Sequence, residues 1–342
     1  MQLPILQNVL LEVREGVLHL TGTDLEVGVH SIVGGKVGSA GSCVVPARQL
    51  FEYVQQLPSD HPVELKQKGK TIAVTTPGFR ASLRVAEVED FPLLPTVQDG
   101  GGVSLNARLL CQGVGDVLFA AARDESRPEI HSVLAVGEAG ELRLAATDSF
   151  RLAERVIPLE TGQEKFSLLL PLSTAQEVVR LFATQESVQL VPQDALIQLR
   201  GEGVELSSRL LDATYPDYRQ IIPQSSAARI RVEREALTRA LKTLLVFLPR
   251  DSRRVKLTAT PKNRKLHLQV AGGESGEGEV SLPISGEGEA QELLLNIQYM
   301  LEGAQHMPGR ECELAFQGAE APVVFRPGEG GGYIYVVMPI QA

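Results

Sequence analysis

The amino-acid sequence predicts an α+β fold in which one unit of helix and antiparallel sheet occurs three times in tandem. The chain has 342 residues, enough for two or three domains. Residues 4–24 and 128–148 are identical at eight of 21 positions, without a gap, at an offset of 124 residues. A fainter third copy places Leu266-His267-Leu268 at twice that offset from Leu18-His19-Leu20. We therefore expect domains at residues 1–100, 101–225 and 226–342.

Each copy has the pattern of strands packed with a helix. In the first copy, apolar residues partly alternate through 9–13 and 17–21 around a turn at 14–16, which is typical of a hairpin. Apolar residues of 49–57 recur with the helical period, and residues 63–65, 71–74 and 81–85 form short strand-like runs. Gly-rich stretches at 272–278, 286–288 and 328–332 predict surface loops.

The second and third copies begin with a helix, expected at about 107–122 and 234–248. The first copy has no such helix. By the repeat spacing that copy begins about 22 residues before Met1, so we expect a first domain that lacks its first helix.

Composition excludes several classes of protein. Lys and Arg total 33 and Asp and Glu total 42, a net charge of −9, which disfavours a protein held to nucleic acid mainly by phosphate neutralisation. The three cysteines are far apart and form no C-x-x-C pair, which fits a reducing cytoplasm and neither a disulfide framework nor structural zinc. The apolar run 244–248 is far shorter than the roughly 20 residues of a membrane helix.

No catalytic motif appears, and we expect neither an enzyme nor a cofactor. The six histidines form no H-E-x-x-H pair, and no Walker, kinase or G-x-S-x-G pattern is present. His19 and His267 occupy equivalent strand positions and are expected to face solvent. Asp24 and Asp148 are also equivalent and follow Thr at a strand end, where an Asp side chain caps a turn.

Three motifs carry a resemblance to a known family. They are T-D-S-F-R-L-A at 147–153, Y-P-D-Y-R at 215–219 and Y-V-V-M-P-I at 335–340. Together with L-P-I-L-Q-N at 3–8 they make the chain similar, along its whole length, to the bacterial β sliding clamp, a subunit of DNA polymerase III. The resemblance implies the DNA clamp fold, a head-to-tail ring dimer that encircles duplex DNA with helices inside and sheets outside.

The resemblance also implies what such a ring does. A clamp loader opens it, and it then tethers the DNA polymerase III alpha subunit, other polymerases and repair proteins through their QLxLF-like motifs. The peptides enter an apolar groove, in which Arg151 and the hydroxyls of Thr147 and Ser149 would hold the peptide backbone. The implied groove residues are Ile130, Thr147, Ser149, Phe150, Arg151, Leu152, Pro216, Gln220, Ile221, Asn296, Tyr299, Val336, Val337, Met338, Pro339 and Ile340.

Two further sets of residues follow from the resemblance. The subunit interface would use Ala81 and Leu83 against Val246 and Phe247. The residues expected to face DNA are Arg48, Arg123, Arg127, Arg180, Arg239 and Lys242. The helix segment 231–245 carries a charge of +2 in an acidic chain, which favours the same interpretation.

Some positions depart from the family pattern. Phe150 stands where the family often has His, Gln220 replaces a frequent Arg, and Gln341-Ala342 stand where Arg-Leu is common. We therefore expect a groove rim that is less basic than usual.

Two other interpretations of the sequence remain open. A repeat-built scaffold for protein interactions that does not encircle DNA has the same tandem organisation. A hydrolase or transferase whose site combines residues far apart in sequence leaves no local motif.

Overall fold

The computed structural model describes residues 3–92, 94, 102–159, 165–193, 195–249, 252–273 and 276–341. Its strands, numbered in chain order, all pair antiparallel and alternate with five α-helices, which confirms the α+β class. The contacts divide the chain into two compact units. Unit 1 comprises Met1–Ala107 and Thr184–Leu210, and unit 2 comprises Arg108–Ala183 and Leu211–Ala342.

Unit 1 contains an eight-stranded sheet of order β4-β1-β2-β3-β15-β14-β13-β8 and a three-stranded sheet of order β5-β6-β7. The larger sheet comprises β1 (Asn8–Arg14), β2 (Val17–Thr23), β3 (Val27–Val33), β4 (Gly41–Pro46), β8 (Val103–Asn106), β13 (Ser187–Pro192), β14 (Leu196–Gly201) and β15 (Val204–Arg209). The smaller sheet comprises β5 (Glu64–Lys68), β6 (Thr71–Thr76) and β7 (Phe79–Arg84), and helix α1 spans Ala47–Gln55. A core cluster built on Leu11, Val45 and Ile72 packs between these elements.

Unit 2 contains a nine-stranded sheet of order β12-β9-β10-β11-β24-β23-β22-β16-β20 and a four-stranded sheet of order β19-β18-β17-β21. The larger sheet comprises β9 (Ser132–Glu138), β10 (Glu141–Thr147), β11 (Arg151–Pro158), β12 (Phe166–Pro171), β16 (Ala228–Glu233), β20 (Ser285–Gly288), β22 (Glu311–Phe316), β23 (Val323–Pro327) and β24 (Tyr333–Val337). The smaller sheet comprises β17 (Arg254–Thr260), β18 (Lys265–Ala271), β19 (Glu277–Pro283) and β21 (Gln291–Asn296). Its helices are α2 (Ala107–Leu118), α3 (Leu172–Phe182), α4 (Arg234–Leu245) and α5 (Ile297–His306).

The first two copies of the repeat fold alike. Strands β1 and β2 form the expected hairpin around Glu15-Gly16, and β9 and β10 form the same hairpin around Ala139-Gly140. All four turn residues have positive φ, which is characteristic of the tight turns that match strand twist. The sequence identity at an offset of 124 residues therefore reflects one structural unit used twice.

Two local predictions are wrong. His19 is only 6% exposed, because its ring stacks on that of His30 with 3.0 Å between Nδ1 and Nε2. Residues 286–288 belong to β20 and residues 277–278 to β19 rather than to loops, while 274 and 275 of the predicted loop at 272–278 lie outside the described residues. A Cβ on Gly286 would lie 2.2 Å from the Arg229 carbonyl oxygen, and one on Gly288 would lie 2.3 Å from that of Ala227. Only glycine permits this close approach to the neighbouring strand.

Candidate peptide groove

The turn at 147–151 is held by its own side chains. The Asp148 Oδ1 atom accepts hydrogen bonds from the backbone N–H groups of Phe150 and Arg151, both at 3.0 Å. The Thr147 hydroxyl donates to the Arg151 carbonyl at 2.6 Å and accepts from the Ser149 N–H. Ser149 has a φ of 77°, which this local bonding sustains. The turn lifts Phe150 into solvent, with its surface 62% exposed.

The final strand of the chain lies directly beside this turn. Strand β24 pairs with β11 so that Val337 is opposite Arg151 and Val336 is opposite Leu152. Beyond β24 the Met338 N–H donates to the Phe150 carbonyl at 2.9 Å. The segment 338–340 then continues to β21, where the Ile340 N–H donates to the Leu294 carbonyl at 2.8 Å.

The linker at 211–222 forms the next side of this surface. Tyr215, Tyr218 and Ile222 pack on the apolar cluster that contains Leu152 and Val336. Three other linker residues point outward instead and are exposed, namely Pro216, Gln220 and Ile221. Three segments that are distant in sequence therefore meet at one surface.

The sixteen predicted groove residues separate into a floor and a rim. The buried residues are Ile130, Thr147, Arg151, Leu152, Val336 and Val337. The half-buried or exposed residues are Ser149, Phe150, Pro216, Gln220, Ile221, Asn296, Tyr299, Met338, Pro339 and Ile340. An apolar floor with exposed aliphatic and aromatic edges suits the side chains of Leu and Phe, and Met adapts its shape to different ligands.

Arg151 lies beneath this surface, and its side chain is only 5% exposed. Its guanidinium donates to Asp148 Oδ2 at 2.9 Å, to the Phe119 carbonyl at 2.7 Å and to the Glu302 carboxylate. It also lies 4.4 Å above the centre of the Tyr299 ring. The guanidinium is therefore bonded within the chain, and the contact with the peptide backbone that the resemblance implied stays a prediction.

Helix α5 is fixed at the same place. The Asn296 side chain caps the helix by accepting hydrogen bonds from the N–H groups of Gln298 and Tyr299 at 2.9 and 3.3 Å. The Tyr335 hydroxyl donates to the Tyr299 carbonyl at 2.9 Å. Both Phe119 and Glu302 were missed by the sequence analysis, since Glu302 is 151 residues from the Arg151 that it bonds.

The rim contains one cation that the sequence did not place there. Arg127, expected to face DNA, donates from Nη1 to the Ser149 Oγ at 3.0 Å and from Nε to Glu129 at 3.2 Å. Its side chain is half exposed. A guanidinium paired with Glu129 therefore lies beside Ser149.

Of the four residues predicted for a subunit interface, one is exposed and three are half-buried. Val246 is 80% exposed after the end of α4. Phe247 is half-buried, because its ring packs against Gly278 on β19. On β7, Ala81 and Leu83 are half-buried on the same face of the strand.

The predicted DNA-facing residues differ in how far their charge is compensated. Arg48 bonds Glu52 and Arg180 bonds Glu177 on their own helices, at 2.7 Å in each case. Arg239 and Lys242 are exposed on α4, and the structure as described gives neither of them a carboxylate within 4 Å. Arg123 is exposed after α2.

The described residues give no sign of a catalytic centre. Burial raises the pKa of the Cys111 thiol to about 11 and that of Cys312 to about 12, so neither is a nucleophile at neutral pH. No cluster of three metal-binding side chains occurs in the described ranges. No helix among the described residues is long and apolar enough to span a membrane.

Comparison with known proteins identifies the family. Three family models match in order: the DNA polymerase III beta subunit N-terminal domain at residues 1–95, its central domain at 104–217 and its C-terminal domain at 219–341. The beta sliding clamp of Synechococcus elongatus is 30% identical over 350 residues, covering 99% of this chain and 92% of that protein. That of Synechocystis is 29% identical over 361 residues, with the same coverage.

Solved structures agree with these matches. The DNA polymerase III beta subunit of Thermotoga maritima is 27% identical with a TM-score of 0.93, covering 99% of this chain and 92% of that one. The DNA polymerase sliding clamp of Bacillus subtilis has the same TM-score at 24% identity, over 100% of this chain and 93% of that one, which is a likeness of fold. The chain therefore belongs to the bacterial beta sliding clamp family, the beta subunits of DNA polymerase III, which are non-catalytic processivity factors.

Proposed function

We propose that two copies of this chain join head to tail into a ring around duplex DNA. The ring tethers its partners through the groove described above. Each copy contributes three domains, at residues 1–100, 101–225 and 226–342, and works in the cytoplasm. A clamp loader places the ring, and partners with QLxLF-like motifs, among them the DNA polymerase III alpha subunit, bind the groove.

The proposal of a ring rests on a pattern of strand pairing that occurs twice within the chain. The third strand of the first repeat, β3, pairs with β15, the last strand of the second repeat. In the same way β11 of the second repeat pairs with β24, the last strand of the third. The next strands in this series are β19 of the third repeat and β7 of the first. Each of them is an edge strand of its sheet in the described structure.

The two edges have complementary charges. Strand β7 exposes Arg80 and Arg84, and β19 exposes Glu277 and Glu279. If β19 of one copy pairs with β7 of the next, the junction of the two chains repeats the junctions within each chain. A head-to-tail contact of this kind forms a closed ring when the rotation allows.

Helix α4 is the best-supported DNA surface. Arg234, Arg239 and Lys242 line an open depression together with Glu235, Thr238, Thr243 and Gln305. Glu235 lies 3.9 Å from Arg234 and compensates it, which leaves the charges of Arg239 and Lys242. A ring needs no tight grip on DNA, because encirclement itself retains it. The two uncompensated cations, Arg239 and Lys242, make the hole compatible with a phosphate backbone in a chain of net charge −9.

Mixing two charge-reversed proteins tests the ring. The variant R80E/R84E and the variant E277R/E279R should each sediment as monomers or weak dimers, and their mixture should recover a dimer. A mixture that stays monomeric, or single proteins that remain fully dimeric, would refute the pairing of β7 with β19. Retention of the wild type on circular DNA and its loss from linear DNA separates the ring from a scaffold that does not encircle DNA.

Calorimetric titration of a QLxLF-type pentapeptide tests the groove. We expect micromolar binding at one site per chain, weakened about tenfold by Met338→Ala, because a flexible apolar contact is removed from the rim. Leu25→Ala is the matched control, since Leu25 is 46% exposed on the equivalent turn of the first repeat. Equal losses in both variants, or no binding by the folded wild type, would contradict the assignment.

A further inference from the structure

A small polar pocket lies on the nine-stranded sheet at the far end of the linker. Its volume is about 160 Å³. Ala315 and Val324 are among the residues of its wall, and Arg229 and Arg326 lie at its sides. Residues 223–226, which connect the linker at 211–222 to β16, form the remaining side of the pocket. We call this feature the arginine pocket.

Sheet register explains why a depression forms there. Arg229, Ala315 and Val324 form one row across β16, β22 and β23, and Arg231, Glu313 and Arg326 form the next row. Ala315 is short, so the long side chains around it leave a depression above the strand. The linker is fixed against this edge by Gln317 Nε2, which donates to Ser225 Oγ at 3.2 Å, and by Arg229 Nε, which donates to Ser226 Oγ at 2.7 Å.

The pocket has an excess of positive charge. Glu313, one of its lining residues, lies 3.3 Å from Nε of Arg231 and is compensated by it. Glu287 is opposite Arg229 on β20, and the described structure shows no ion pair between them. Arg326 has no carboxylate within 4 Å among the described residues. The terminal nitrogens of Arg229 and the whole guanidinium of Arg326 are therefore available to an anion.

The arginine pocket lies next to the peptide groove on the same sheet. Its wall residue Val324 pairs directly with Val336 of the groove floor. On the linker, the exposed groove residue Ile221 is two positions from Pro223, which lines the pocket. A peptide whose apolar side chains occupy the groove therefore has a short path to these arginines.

We propose that the arginine pocket binds an acidic side chain next to the apolar motif of a bound partner peptide. The inference rests on the groove proposed above. Two guanidinium groups, with the hydroxyls and amide of the linker and β22–β23 turn, match the acceptor geometry of a carboxylate. Partners that carry Asp or Glu beside the motif are then preferred over partners of the same motif without acidic neighbours.

Paired peptides test this preference. A QLxLF-type peptide is extended by Gly-Gly-Asp-Asp or by Gly-Gly-Asn-Asn, at one end or the other, and titrated by fluorescence anisotropy into the full chain. At one of the two ends we expect the Asp peptide to bind about fivefold tighter than its Asn counterpart, as a partly exposed charge pair allows. R229Q and R326Q should each remove most of that gain. K265Q, which removes an exposed cation of β18, should leave it intact.

Each outcome decides one point. A gain that both arginine variants abolish, with unchanged binding of the plain pentapeptide, supports the pocket. Binding of the pentapeptide without any gain from Asp at either end, or a gain that K265Q removes equally, overturns the pocket and leaves the groove standing. Absence of binding by every peptide overturns the groove, and the pocket as its extension falls with it.

Discussion

Arg151 gives the most informative test of how the groove is built. It joins β11 to helix α5 through Glu302, it holds the turn through Asp148, and it lies on the ring of Tyr299. Replacement by Met keeps the length of the side chain but leaves two carboxylates without their cation. The carboxylates are 15% and 20% exposed, so water can reach each of them only in part.

The magnitude follows from this burial. Removal of one partner from a buried ion pair costs about 3–5 kcal/mol. The partial exposure of both carboxylates favours the lower end of this range. We therefore expect the local free energy of unfolding to fall by about 3 kcal/mol, which corresponds to amide hydrogen exchange roughly 100-fold faster. The exposed pair of Arg48 and Glu52 is the control, because its arginine side chain is 83% exposed and solvent screens such pairs so that they contribute little to stability.

Hydrogen exchange read by mass spectrometry measures the effect at the correct place. In Arg151→Met, peptides covering β11, α5 and residues 338–340 should lose protection, while the peptides of unit 1 keep theirs. Arg48→Met should change none of them. Glu302→Met added to Arg151→Met should restore part of the protection, because it removes one of the two carboxylates that have lost their cation. A change below threefold in α5 would refute a supporting role for Arg151.

Three other predictions concern the rest of the chain. Burial raises the pKa of Asp116 to about 6, so its contribution to stability is present at low pH and is lost as pH rises through 6. Compared with Asp116→Asn in urea unfolding, the wild type should lose about 2 kcal/mol of unfolding free energy between pH 4 and pH 7, and parallel curves would contradict this. R239E/K242E should shorten retention on circular DNA far more than R180E, whose arginine is already paired; equal effects would exclude α4 as the DNA surface. Gly286→Ala should lower the melting temperature by several degrees, because its φ of 152° and the 2.2 Å approach leave no room for a Cβ; an unchanged melting temperature would be the contrary result.

The sequence alone predicts those features of the fold that depend on residues close together along the chain. The hairpin turns and the Asp-capped turn at 147–151 follow local rules, and both appear as expected in the first two repeats. The partners of Arg151 depend on which strands and helices become neighbours in the fold. No local sequence pattern therefore predicts that Glu302 bonds Arg151. The same reason explains the burial of His19, because its partner His30 belongs to an adjacent strand.

The two junctions inside the chain explain why a chain should hold one peptide rather than two. At the first junction the Arg209 N–H donates to the Glu26 carbonyl at 3.0 Å, and at the second the Met338 N–H donates to the Phe150 carbonyl at 2.9 Å. The backbone is therefore equivalent, but two exposed charged residues stand where the groove has Met and Phe. An apolar peptide would have to bury those charges, at a cost that its Leu and Phe would not offset. We expect a calorimetric stoichiometry of one peptide per chain, and a second site of similar affinity would show that the shared backbone, and not its side chains, determines binding.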